Sequence, residues 1–160
     1  MHNVNRMVDH AEVRAGLTGP ISSLTTPFTR DGTVDHNALR DLIDANLSGG
    51  SKTALLTWGD SLFSVLTDDE IVSVTATVAE HARGRALTVA ADNGWWTGKT
   101  VEFARHCREI GIDLLMVKPP VWSPPGTSEY IEHYQAVARE IPVMLVTNVW
   151  AGADATALAV

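Results

Sequence analysis

The residues of this chain best suited to chemistry sit in short stretches that follow apolar runs. The fullest is 114–125, Leu-Leu-Met-Val-Lys-Pro-Pro-Val-Trp-Ser-Pro-Pro, where an apolar run meets a lysine, a proline pair and a tryptophan. A lysine ending a buried strand, here Lys118, has two readings. Desolvation strips its proton and makes an amine nucleophile, or its alkyl stem carries the charge out to water. Two carboxylates fall in comparable stretches and could face a ligand: Asp60 in Trp58-Gly59-Asp60-Ser61, and Asp92 in Asp92-Asn93-Gly94-Trp95-Trp96. All five tryptophans, Trp58, Trp95, Trp96, Trp122 and Trp150, follow apolar runs in the same way. They read either as the walls of a pocket or as plugs over the top of an apolar core.

Other motifs carry less. Gly94-Trp95-Trp96-Thr97-Gly98-Lys99-Thr100 ends like a phosphate-binding loop, and nucleotide binding there is one reading. Three residues separate its glycines where the motif needs four, and two of them are tryptophans where backbone amides must wrap a phosphate. His36, His81, His106 and His133 fall on predicted helices in no ligand spacing, so they read as solvated positions and no metal or cofactor is expected. Asp68 and Asp69 lie in the first turn of a helix, where the dipole favours them.

The elements that must position these residues alternate regularly. Strands are predicted over residues 21–24, 53–57, 87–91, 114–117 and 143–146, with Thr147-Asn148-Val149-Trp150 as the loop after the fifth. Amphipathic segments lie between them. The first has Leu39, Leu42, Ile43 and Leu47 on one face behind Asp35 as N-cap; the second has Ile71, Val74 and Val78 behind the capping box Thr67-Asp68-Asp69-Glu70. The third presents Val101, Ala104, Cys107 and Ile110, and the fourth Ile131, Tyr134, Val137 and Ala138. Five strand–helix alternations with short strands predict a parallel α/β sheet covered by helices. The expected organisation is a lead with a short helix over 1–18, one domain over 19–150, and an unplaced tail over 151–160.

Composition narrows the function classes. With 160 residues, 45% hydrophobic and 19% charged, the chain can bury a real core. A net charge of −7 with no Lys/Arg cluster argues against a nucleic-acid surface. No apolar run reaches the roughly 20 residues of a membrane span, and the polar start lacks a signal peptide's apolar centre. A single cysteine, Cys107, excludes a disulfide framework. A cytoplasmic protein is the expectation.

The order of the pieces resembles the dihydrodipicolinate synthase and N-acetylneuraminate lyase family. The residues that carry the likeness are Leu24-Thr25-Thr26-Pro27-Phe28 with Asp31-Gly32 and Val34-Asp35, then Leu66-Thr67-Asp68-Asp69-Glu70 and Thr97. Gly111-Ile112-Asp113, Pro120, Pro142 and Asn148 continue it. The resemblance implies an incomplete (β/α)8 barrel of about five βα units, acting on a pyruvate-like oxo acid through a Schiff base. It implies a substrate site at Thr26, Gly59, Asp60, Ser61, Trp122 and Asn148, with Lys118 and Thr147 as the available catalytic candidates.

Several family positions are altered. The carboxylate-holding Gly-Thr-Thr-Gly-Glu loop corresponds to Trp58-Gly59-Asp60-Ser61-Leu62, and the Pro-Tyr-Tyr after the fourth strand to Pro120-Val121-Trp122. The tyrosine of the Tyr-Asn-Val-Pro motif falls at Val146 or Thr147. The family's lysine belongs to a sixth strand, and a complete barrel takes about 250 residues. A truncated polypeptide with weak or no activity is therefore expected, and its open edges leave a homo-oligomer possible. The alternative is a non-catalytic binding or assembly module with a Trp-lined pocket.

Overall fold

Four short aliphatic runs pair in parallel and in chain order, and the helices between them cover one face. The computed structural model describes residues 9–120 and 126–146. The elements are α1 (His10–Gly16), α2 (His36–Ser48), β1 (Thr53–Leu55), a 3-10 turn (Phe63–Val65), α3 (Asp68–Ala82), β2 (Leu87–Ala91), α4 (Thr97–Ile110), β3 (Leu114–Val117), α5 (Thr127–Ala138) and β4 (Val143–Leu145). The sheet order is β1-β2-β3-β4, with Leu55 opposite Val89, Val89 opposite Leu114, and Leu115 opposite Val143.

Helix starts follow the chemistry of their caps. Asp35 Oδ1 accepts from the Asn37 and Ala38 N–H groups, which α2 cannot satisfy internally. Thr67 and Glu70 cap each other reciprocally ahead of α3, and Asp9 and Glu12 do the same for α1. At the other end of α4, Gly111 takes φ +88°, a left-handed conformation in which a Cβ would be strained.

Alternation along the strands sorts side chains to two faces. Ala54, Ala90, Leu115 and Val117 join the main core, with Leu39 and Ile43 of α2, Ile71, Val74 and Val78 of α3, Phe103 and Cys107 of α4, and Val137 of α5. Burying each of the larger aliphatic side chains contributes about 1.5–3 kcal/mol. On the opposite face Leu55, Val89 and Leu114 form a second cluster, lined by Leu87, Met116 and Met144 and touched by Val13 of α1. Gly16 lets α1 approach: a Cβ there would lie 2.9 Å from Leu87 Cβ.

Three expectations need correction. The strand predicted at 21–24 is reduced to one parallel bridge, Ser23 to Leu55, with the Leu24 N–H donating to Leu55 O at 2.8 Å. Ile21 is exposed there, and Thr25 onward turns into a short antiparallel contact between Phe28 and Val34. The buried face of α5 is Tyr130, His133, Tyr134 and Val137, whereas Ala138 is exposed and Ile131 only half-buried. His133 is therefore not a solvated helix position: it is 3% exposed, because its spacing from Tyr130 and Val137 turns it inward.

Candidate functional site

The carboxyl ends of the parallel strands bring the predicted site residues together, because every loop that follows a strand leaves the sheet on the same edge. After β1 the chain makes a tight turn over 57–61. Ser61 is fully buried; its Oγ donates to Leu24 O at 2.6 Å and accepts from the Thr57 N–H at 2.9 Å. Thr26 Oγ1 donates to Ser61 O at 2.7 Å, and the Asp60 N–H donates to Thr57 Oγ1 at 3.0 Å. Both hydroxyls, Thr26 and Ser61, thus give their proton to a carbonyl and lock the turn against 23–26. Asp60 is exposed, and Ser23 Oγ donates to its Oδ2 at 2.7 Å. Gly59 has open space where a Cβ would stand.

Lys118 leaves β3 on the face of Leu114 and Met116 by strand alternation. Its ammonium lies 3.6 Å from the centroid of the Trp58 ring, a cation–π contact between two strand-end loops. Burial lowers the Lys118 pKa, and the attraction of Asp92 opposes that fall.

Asp92 points the other way, toward the helices. The Asp92 N–H donates to Met116 O in ladder fashion, and its Oδ1 then accepts from the Lys118 N–H at 2.9 Å. The side chain takes over from the backbone as β2 turns away. Oδ2 accepts from Thr100 Oγ1 at 3.3 Å, and the Gly94 N–H also holds the carboxylate. Even so, burial pushes its pKa up from the ordinary 3.8 to about 6. Near it stands Tyr134, pushed up to about 12 by burial and by Asp92, and against Tyr134 packs His133, whose Nδ1 meets Thr97 Oγ1 at 2.9 Å. Burial also lowers the His133 pKa, and a bond to the Lys118 backbone opposes that fall.

Sequence reasoning missed His133, Tyr130 and Tyr134 as one cluster, and it missed Ser23. The three-and-four spacing of 130, 133, 134 and 137 was the available signal for the cluster; nothing in the sequence pairs Ser23 with Asp60.

At the phosphate-loop candidate the lysine already has partners. Gly98, Lys99 and Thr100 lie inside α4; Lys99 pairs with Asp68 and sits 4.8 Å from the Trp95 ring centroid. The Trp95 Nε1–H donates to the same carboxylate at 3.0 Å, so this trio joins the starts of α3 and α4. Trp95 is packed against Phe103 while Trp96 is 68% exposed, so the two neighbours divide between the plug and the open wall. Trp122, Thr147, Asn148 and Trp150 lie outside the described residues. Among the described residues no group of three His, Cys, Asp or Glu side chains could hold a metal, and no helix is long and apolar enough to cross a membrane.

Known proteins resemble this arrangement. A 4-hydroxy-tetrahydrodipicolinate synthase of Sorangium cellulosum is 36% identical over 133 residues, which cover 81% of this chain and 44% of that protein. Among solved structures, the chain resembles YagE of E. coli K12, a prophage protein of the dihydrodipicolinic acid synthase family in complex with pyruvate. The TM-score is 0.78 at 26% identity, covering 86% of this chain and 47% of that one. Dihydrodipicolinate synthase from Aquifex aeolicus gives a TM-score of 0.76 at 28% identity, covering 85% and 47%. The chain thus spans less than half the length of these relatives, and its sheet corresponds to part of their barrel. The sequence model of the dihydrodipicolinate synthetase family matches residues 16–158, nearly the whole chain, and the chain belongs to that family.

Proposed function

We propose that this chain forms the pyruvate-binding part of an oxo-acid lyase scaffold, with a remodelled pocket and weak or no turnover of its own. The supporting observation is the strand-end edge: an ammonium over an indole beside a locked turn, in a chain similar to a pyruvate-bound structure. Thr26 and Ser61 hold the turn, and Gly59 and Asp60 border the proposed substrate. In a complete family member a lysine amine attacks the substrate ketone, water leaves, and the iminium accepts the electron pair released when a carbon–carbon bond breaks. Among the described strand ends only that of β3 carries a lysine. Burial lowers the Lys118 pKa, while the π face of Trp58 and the nearby Asp92 charge oppose that fall and favour the protonated form, which is not nucleophilic.

Borohydride trapping with pyruvate, read by intact mass, tests this. Pyruvate at millimolar concentration is expected to change tryptophan fluorescence without leaving a reduced adduct. No fluorescence response would sink the oxo-acid reading, and an adduct lost on Lys118→Ala would sink the claim of missing chemistry. The half-exposed Trp58 and exposed Trp96 favour a second reading, a non-catalytic module that takes an apolar ligand or partner. A clean monomer by light scattering, with no fluorescence response to apolar ligands, would count against it.

A further inference from the structure

We infer that Lys118 is the specificity-determining residue of this site: its ammonium anchors the carboxylate of a small 2-oxo acid. The inference rests on the oxo-acid reading above and goes beyond it by assigning the anionic end of the substrate to one side chain.

Few hydroxyl or ammonium donors at this edge are free. A carboxylate at this edge needs donors, and the turn after β1 has few to give. The Ser61 hydroxyl proton goes to Leu24 O, and the Thr26 hydroxyl proton to Ser61 O. Both acceptors are backbone carbonyls that would be left short if either hydroxyl swung to a ligand. Among the hydroxyl and ammonium groups at this edge, what remains is the Thr57 hydroxyl, which accepts from the Asp60 N–H and keeps its own proton, and the Lys118 ammonium.

Charge favours the same residue. Among the described residues the Lys118 ammonium makes no ion pair, whereas Lys99, the other lysine stacked on a tryptophan at this edge, is neutralised by Asp68. Asp60 alone opposes an anion on the turn, and Ser23 draws its Oδ2 toward 23–26. An indole covers one side of the ammonium at 3.6 Å, which leaves its N–H groups to reach a ligand from the other. A partly desolvated ammonium gains more from a carboxylate than an exposed one.

The backbone at Lys118 is also rigid. The Lys118 N–H is fixed on Asp92 Oδ1, and Asp92 is fully buried and held in turn by Thr100. Pro119 follows directly and is itself buried, so the backbone that carries the ammonium has little freedom. A preorganised cation loses less entropy when it meets its anion.

The test is pyruvate titration of the 160-residue chain by tryptophan fluorescence, with circular dichroism to check that each variant folds. Wild type, Lys118→Met, Lys118→Arg and Lys99→Met are compared, and methyl pyruvate serves as the probe without a carboxylate charge. The expected result is about a tenfold or greater loss of pyruvate affinity in Lys118→Met, with Lys118→Arg and Lys99→Met within about threefold of wild type. Methyl pyruvate should bind wild type and Lys118→Met alike.

Equal pyruvate affinity in wild type and Lys118→Met overturns the anchor while leaving the oxo-acid reading in place. Absence of pyruvate binding to wild type removes that reading and the anchor with it. Should Lys118→Met fail to fold, reductive 13C-methylation of wild type keeps the charge on all three lysines and gives each its own resonance. The signal missing from Lys118→Arg must then be the one that moves with pyruvate, and movement of another signal in its place overturns the assignment.

Discussion

Replacing Asp92 with Asn should stabilise the protein at neutral pH and leave it unchanged in acid. Asp92 is fully buried, and its pKa rises from 3.8 to about 6 because desolvation outweighs the bonds from the Lys118 and Gly94 N–H groups and from Thr100. An acid whose pKa is raised by folding binds more protons folded than unfolded. Its stabilising contribution is complete below the unfolded value and is lost as pH rises through about 6. The rise corresponds to about 3 kcal/mol between pH 3.5 and 7.5, taken as an upper bound. Asparagine imitates the neutral acid, since its Oδ1 can still accept from the Lys118 N–H.

Asp92→Asn should therefore match wild type near pH 4 and exceed it at pH 7.5 by up to about 3 kcal/mol, or roughly 9 °C in Tm for a chain of this length. Thermal melts of both proteins across that range provide the measurement. The difference between them removes opposing titrations: His133, whose lowered pKa costs stability as pH falls below 6.5, and Asp44, Glu70 and Glu140, whose lowered values cost stability in stronger acid. A variant less stable at pH 7.5, or a difference that stays flat with pH, would refute the reasoning and mean that the ionised carboxylate is satisfied.

Other perturbations test the frame around the site. Ser61→Ala removes the donor to Leu24 O and the acceptor for the Thr57 N–H, so the urea midpoint should fall by an amount worth about 2–4 kcal/mol with the m-value unchanged. Gly16→Ala forces a Cβ within 2.9 Å of Leu87 Cβ, and amide exchange should quicken along α1 while β2 keeps its protection. Gly98→Ala would bring its Cβ into the Trp96 ring, but that ring is 68% exposed and can swing away; stability should stay within about 0.5 kcal/mol of wild type.

What the sequence made legible follows from how local each signal is. The caps at Asp35 and Thr67 and the stop at Gly111 depend on residues within one turn of each other, and each forms where expected. β2 and β3 read correctly because uninterrupted aliphatic runs have few other uses. The segment 21–24 misled because its pairing depends on Leu55, more than 30 residues away, and only Ser23 meets that partner. On α5 Tyr134 and Val137 are buried as expected, but Tyr130 and His133 misled because they look polar in isolation. Asp60 and Asp92 looked equivalent in the chain. The pleat sends Asp92 inward to the helices and leaves Asp60 at the rim, and that division depends on which way each strand exits.

The chain-order sheet also has a consequence for how the molecule forms. Each strand meets the one laid down just before it, so every pairing closes a loop of only about 25 to 35 residues, and the entropic cost of closure is nearly the same at each step. Assembly can then advance one strand and one helix at a time from the amino-terminal side, in the direction in which a ribosome releases them. A lesion in β1 should slow every later addition, whereas one in β4 should mainly hasten unfolding.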